Sequence, residues 1–534
     1  MIAASSRFRL VDIRQRGLYM ERFRWWPMLM LWLPLTVLPL PASAFSFDDV
    51  IDKARALADE SYQAPTPIPA FLRELTYEQY QGIRFKPENS LWIKSNARFQ
   101  VMLMSPGLYF KHPVVIHEVD AEGVRPITYN KADYNYTNEE LAKRIPADLG
   151  HGGFKLTYPL QGPDSRNQFL VFAGASYFRA VGRDNSFGLS ARGVAVNTGL
   201  PSGEQFPSFT EFWLVRPDAK ADSMTVYALL DGRSLTGAYR FDVRTGDNTV
   251  MDVQARLFIR SDIEKLGIAP LTSMFFYGGN TARPRGEWRP RVHDSGGLLL
   301  HNGVSGEWLW RPLLNPKSLK LDYFQTESVQ GFGLMQRQTD FEDFQDYGAN
   351  YHRRPSAWVK PKSDWGKGRV VLVQLPTNNE TNDNIVAFWT PDEPVREGQS
   401  LSFDYSLKVG GPSVSGVDRA RAERTFVGDG NRVGGGTVEG AYRVIVDFEG
   451  GPLRDLPADA PVTSTVTAGG DAEVIEHFVE FLSPVNRWRL SILAKPAEGQ
   501  PLALRAFLKK DDEAVSETWS YDIPAVNDIL GEAP

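Results

Sequence analysis

A mainly β protein built as sandwiches is what the sequence predicts, and three observations carry the prediction. Short apolar runs alternate with polar residues at a period of two in many places along the chain. Clusters of Gly, Pro, Asn and Asp separate these runs, with 46 Gly and 36 Pro among 534 residues. Long stretches of helical period are few. A chain of this length exceeds what one hydrophobic core usually supports, so two domains are expected.

Taken in order, residues 1–44 read as an export signal. Arg7, Arg9, Arg14, Arg16, Arg22 and Arg24 form a basic leader, 25–41 is apolar, and Ala42-Ser43-Ala44 fits the small-x-small rule for cleavage after Ala44. The apolar run is short for a membrane span, and Pro27, Pro34 and Pro39 interrupt any helix in it, so no stable membrane insertion is expected once the signal is removed. Met20 is an alternative start, because 20–44 is already a complete signal peptide. The leader has no Arg-Arg pair, which points to the general (Sec-type) export route.

Beyond the leader, Phe47, Val50, Ile51, Ala54, Leu57 and Ala58 share one face of a helix, with Asp48 or Asp49 available as N-cap. The period then changes to two. Met251, Val253, Ala255, Leu257 and Ile259 alternate with Asp252, Gln254, Arg256 and Arg260, which describes a strand with one wet face. Similar runs occur at 98–104, 114–119, 169–173, 224–230 and 368–374. The polar, Pro-bounded segment 391–399 reads as a linker, dividing an N-terminal sandwich at 45–390 from a smaller domain at 400–534. Strands recur there at 401–409, 442–448, 489–494 and 502–508, matching an immunoglobulin-like sandwich. The Gly-rich stretch 428–440 reads as a long mobile loop.

Composition removes whole classes of chemistry. The absence of cysteine excludes disulfide scaffolds, thiolate metal sites and cysteine nucleophiles. The seven histidines show no zinc spacing, and neither a phosphate loop, a dinucleotide fingerprint nor a GxSxG elbow occurs. Without the leader's six arginines and two acids the net charge is −10, which argues against nucleic acid and anionic membrane surfaces as partners. An exported, acidic, cysteine-free protein fits a bacterial periplasm.

Two features point toward carbohydrate. Trp288, Trp308, Trp310, Trp358, Trp365 and Trp389 lie close together in the chain, and flat aromatic faces on a β scaffold suit sugar rings, although any one of them could equally fill a core. In the same region Asp294 and Asp383 each stand where a turn-rich loop meets an apolar run, a position that suits catalytic groups and equally suits turn aspartates bonding local amides.

Several strings then carry a resemblance. They are Tyr80-Gln81-Gly82-Ile83-Arg84-Phe85, Ser186-Phe187-Gly188-Leu189-Ser190-Ala191-Arg192-Gly193 and Thr272-Ser273-Met274-Phe275-Phe276-Tyr277-Gly278. To these are added His293-Asp294-Ser295, Arg353-Arg354-Pro355-Ser356 with Trp358-Val359, and Asp383-Asn384-Ile385-Val386-Ala387-Phe388-Trp389. Over nearly the whole leaderless chain, falling off in 428–440, the sequence closely resembles the periplasmic glucans biosynthesis G/D family, and its leader resembles the G type.

The resemblance implies a large galactose-mutarotase-like β-sandwich, a short linker and an immunoglobulin-like domain. It implies a role in making osmoregulated periplasmic glucans, whose backbone is β-1,2-linked glucose, and in some members an inverting β-1,2-glucanase activity. The position matching the family's general acid is Asp383, and the one matching its general base is Asp294. Where the family often has His-Asp-Ser-Asp, this chain has His293-Asp294-Ser295-Gly296 and so lacks a second carboxylate.

Around these acids the expected sugar platforms are Trp288, Tyr351 and Trp358, with His293 and Arg354 as hydroxyl partners. Arg354 could alternatively brace a loop by pairing with Asp346 or Glu342. Two other functions remain open: a glucan-holding assembly partner of an inner-membrane glucan glucosyltransferase, and a transglycosylase that adds branches. None of the three requires a metal or cofactor.

Overall fold

The computed structural model describes residues 45–525. The expectations for 1–44, including the signal, its cleavage site and the alternative start, lie outside the described residues.

The chain opens on the helix Phe47–Ala58, which buries Phe47, Val50 and Ala54. Its N-cap is Ser46 rather than Asp48 or Asp49. Asp49 instead reaches back to accept from the Ser46 backbone N–H at 2.7 Å, closing the first turn. The buried stripe packs on Trp213, Tyr227, Leu229, Ala238 and Phe258, the outer face of a large sheet.

That sheet contains the alternating strand foreseen around Met251. In Thr249–Ile259, Met251, Val253, Ala255 and Leu257 are buried, while Asp252, Gln254 and Arg256 are only half-buried. It pairs with Leu235–Arg244 on one side and Ser400–Gly410 on the other. Opposite lies a ten-stranded sheet running from Gln100–Met104 through Gly153–Tyr158, Asn167–Ala173, Tyr177–Ala180, Ser190–Arg192, Leu266–Ser273, Ile385–Pro391 and Lys367–Gln374 to Lys320–Glu327, with Val194–Val196 paired to Leu266–Ser273 as the tenth strand. The inner faces of the two sheets enclose the main core. At its centre Phe172 is ringed by Phe154, Phe178, Phe212 and Phe241, with centroid distances of 5.1–5.6 Å. Large aromatic areas leaving water at one point make this the principal source of cohesion.

The domain boundary is not where composition put it. Ser400–Gly410, expected after the linker, pairs with both Thr249–Ile259 and Ser356–Pro361 in the middle of the large sheet. The supposed linker is docked as well: Val395 is buried in the main core, and the Ile263 N–H donates to its carbonyl at 3.0 Å. The strands that belong to the second sandwich alone follow Gly410, and earlier residues such as Leu299, Trp310 and Trp358 complete its core. Its four-stranded sheet, Arg421–Asn431, Thr437–Glu449, Arg487–Lys495 and Glu473–Leu482, faces the far end of the large sheet. There Thr518–Ile523 runs parallel to Trp308–Pro312, so one sheet serves both cores. The stretch 428–440 is largely a hairpin and not a loop, with Asn431 paired to Thr437 across a short turn.

Candidate active site

Two short strands, Phe275–Tyr277 and Val292–His293, pair so that Phe275 stands opposite His293. The backbone N–H of the next residue, Asp294, donates to the Met274 carbonyl at 2.8 Å. Asp383 ends the turn that leads into Ile385–Pro391. The residue after it, Asn384, is buried, accepts from the Phe275 N–H at 2.9 Å, and donates to the carbonyls of Phe275 and Leu375, both at 3.0 Å. Each acid is therefore one residue from a partner of Phe275. Backbone pairing brings together two side chains far apart in sequence, and it does so with the backbone polar groups satisfied.

Asp294 is buried, and burial pushes its carboxyl up to about 6. Arg354 opposes that shift, Asp383 reinforces it, Arg179 opposes it and Glu380 reinforces it, so all four charges act on one carboxyl. Arg354 Nε stands 3.2 Å from Asp294 Oδ1, an ion contact without hydrogen-bond alignment, since both atoms lack a hydrogen-bond partner. The Arg354 Nη2 is anchored separately on the Ala349 carbonyl at 2.8 Å. Gly188 lets that side chain pass: a Cβ there would lie 2.9 Å from Arg354 Cδ.

Asp383 has a side chain 35 % exposed, and Arg179 Nη2 lies 3.6 Å from its Oδ2. Arg179 is held by its Nε donating to Ser190 Oγ at 2.7 Å. On the same sheet face Arg192 donates from Nε to Thr272 Oγ1 at 2.8 Å and stacks its guanidinium 4.7 Å over Tyr177. The Tyr177 phenol is raised by burial first, and Asp383 is among the charges acting on it. Through Arg179, Asp383 thus stands beside a polar row of this sheet.

Three loops around the acids are tied by Arg289. It reaches Glu287 at 2.8 Å, Asp346 at 3.0 Å and Glu380 at 2.6 Å. The bond from Arg289 holds the Glu287 carboxyl down to about 2. Among the described residues no group of His, Asp or Glu is placed to hold a metal ion.

Of the residues expected from sequence, Asp294, Asp383 and Arg354 come together. Arg354 pairs with Asp294, not with Asp346 or Glu342. Trp288 is 63 % exposed on the loop anchored by Arg289, so its ring is free to meet a ligand. The other expected contacts are corrected. Trp358 is buried in the second core and stacks on Trp308 at 5.4 Å, so it offers no face to a sugar. Tyr351 is buried beneath Arg354, with the guanidinium 5.3 Å from its ring. His293 is buried between Phe275, stacked at 5.3 Å, and Phe344, and burial lowers its imidazole to about 3, so it is neutral and offers no exposed edge beside the acids. Trp310, Trp365 and Trp389 are likewise core residues. Sequence reasoning missed Arg179, Glu380, Arg289 and Asn384. Glu380 and Asn384 sit beside Asp383, and proximity was the only available signal. Arg179 had none beyond the alternation of its strand.

Comparisons with known proteins bear on this arrangement. The family model described as "Periplasmic glucan biosynthesis protein, MdoG" matches residues 45–523. Proteins named glucans biosynthesis protein G from Pseudomonas paraeruginosa strain PA7 and Pseudomonas aeruginosa strain LESB58 are each 43 % identical over 501 residues, covering 92 % of this chain and 95 % of theirs. Among solved structures, a putative aldose 1-epimerase from Escherichia coli K12 matches with TM-score 0.23 and 9 % identity, over 49 % of this chain and 96 % of that one. A galactose mutarotase related enzyme from Lactobacillus acidophilus matches with TM-score 0.20 and 6 % identity, over 45 % and 97 %. With a family model spanning the mainly β body and its acidic centre, and relatives alike along almost their whole length, this chain belongs to the periplasmic glucan biosynthesis protein family, MdoG.

Proposed function

We propose that this protein works in the periplasm on the β-1,2-linked glucose backbone of osmoregulated periplasmic glucans, as an inverting glycoside hydrolase. The observation that carries the reading is the buried carboxyl of Asp294, poised at about 6 beside a second acid, Asp383. A base works best when its proton affinity lies near the working pH, and Asp294 at neutral pH is ionised yet more basic than an ordinary carboxylate.

In this reading Asp294 takes a proton from a water as that water attacks the anomeric carbon. The glycosidic C–O bond breaks on the opposite face, and Asp383 gives its proton to the leaving oxygen. Asp383 must be neutral when it acts. What that role needs, a carboxyl stripped of water, would come from the sugar chain lying over its exposed edge. Arg354 holds Asp294 in place, and Trp288 offers a ring to one sugar face.

The test is release of short oligosaccharides from linear β-1,2-glucan by purified protein. Asp294→Asn and Asp383→Asn are each expected to lower kcat by at least about a hundredfold. A substrate whose leaving group needs no protonation should restore turnover to Asp383→Asn and not to Asp294→Asn. Wild-type turnover untouched by both changes would remove the assignment. Binding without turnover would favour a protein that holds the nascent chain for a membrane glucosyltransferase, and a new linkage in the products would favour a branching transglycosylase.

A further inference from the structure

The face of the ten-stranded sheet that carries Arg179 continues well beyond the acids. Register pairs Arg179 with Val171, Val171 with Lys155, and Lys155 with Met102, so these side chains form one row across four strands. At the far end of the row lies a hollow of about 510 Å³. Its lining includes Tyr77 and Tyr109, exposed by 67 % and 73 %, and the amide of Gln168. Tyr109 also lines a second, smaller hollow that reaches Tyr177, whose phenol senses Asp383. The row of side chains from Lys155 to Arg179 joins this cavity to the part of the sheet face where Arg179 meets Asp383. With strands about 4.8 Å apart, Lys155 stands roughly 10 Å from Arg179.

Two polar groups in this cavity have no structural task. Lys155 is half-buried and meets no carboxylate among the described residues, and burial alone lowers its ammonium. Tyr134, also in the lining, buries a hydroxyl with no hydrogen-bond partner. Buried polar groups are rarely left in this state without a ligand or water to complete them. No Asp or Glu lines the cavity, so a basic donor, an orphaned hydroxyl, amides and free aromatic edges are offered together.

We propose that this cavity is a distal subsite for glucose units of the glucan chain whose scissile bond lies at Asp294 and Asp383. The aromatic rim takes the apolar faces of the sugar rings, and Lys155, Gln168 and Tyr134 bond their hydroxyls. It follows that affinity rises with chain length, because only a long chain fills both places at once. The subsite rests on the glucan reading above, but it makes its own prediction in binding.

The experiment is calorimetric titration of the protein, in the Asp383→Asn background so that the chain is not cut, with a β-1,2-linked tetrasaccharide and with long linear β-1,2-glucan. Lys155→Met and Tyr109→Ala are each expected to weaken long-chain binding about tenfold and leave tetrasaccharide binding unchanged. Long-chain affinity unaffected by both variants overturns the subsite, as does equal weakening at both lengths. A loss confined to glucan bearing anionic substituents overturns the assignment to glucose units. Length-dependent binding by a wild-type protein that cuts nothing would retain the subsite while removing the hydrolase reading.

Discussion

At the residue scale, Asp294 holds the sharpest conflict between stability and function. An unfolded aspartate ionises near 3.8, and the folded one holds its proton up to about 6. Between those values the native state binds more protons than the unfolded state, so this residue makes stability fall as pH rises. A shift of that size corresponds to about 3 kcal/mol of penalty at neutral pH. Asp294→Asn is therefore expected to stabilise the protein at pH 7 relative to its effect at pH 4, where the wild-type carboxyl is already neutral. Urea unfolding of both proteins at the two pH values measures the difference, and an equal effect at both would contradict the buried charge. His293, next to it, has the opposite sense. Its imidazole is held neutral by burial, so stability falls as pH drops below the ordinary histidine range.

At the element scale, what sets the site is a clamp between loops. Arg289 bonds Glu287 of its own loop, Asp346 of the segment leading to Tyr351 and Arg354, and Glu380 of the turn carrying Asp383. Replacing it frees at once the segment that leads to Arg354 and the turn that carries Asp383. Arg289→Met is expected to lower kcat about tenfold or more while leaving the midpoint of thermal unfolding within a few degrees, because the clamp lies outside both cores. Arg289→Lys, with one point charge, should restore only part of the rate, since it cannot span three carboxylates. Turnover and melting measured together separate this from general destabilisation. The elements themselves were legible: runs foreseen at 224–230, 368–374 and 502–508 appear as Met224–Asp231, Lys367–Gln374 and Leu502–Lys510. Leu266–Ser273, at the heart of the site's sheet, was not foreseen. It is buried on both faces along its whole length, so it carries no alternation to read.

At the scale of the whole molecule, the two sandwiches are joined by a shared sheet and by a buried ion pair. Arg337 and Glu517 are 2 % and 0 % exposed in their side chains; Arg337 also donates to the Ala422 carbonyl at 2.7 Å and lies 3.5 Å over the Trp310 ring. Glu517→Gln leaves a buried guanidinium without its counter-charge and should cost about 3–5 kcal/mol. Arg337→Met combined with Glu517→Leu should recover much of that loss. Denaturant unfolding is expected to show one transition in the wild type, and two well-separated wild-type transitions would contradict the shared sheet. The sequence by itself determined the β architecture, the wet and dry faces of the strand around Met251, and the family, because period and local motif are properties of neighbouring residues. It could not decide which tryptophans serve a ligand. Trp358 and Trp288 have the same side chain, but one faces a sandwich core and the other faces water. Nor could it place the boundary at 391–399, since Ser400–Gly410 looks alike in either sandwich until its partners are known. Exposure, pairing and the field at a buried carboxyl are sums over distant residues, and only the folded chain fixes those distances.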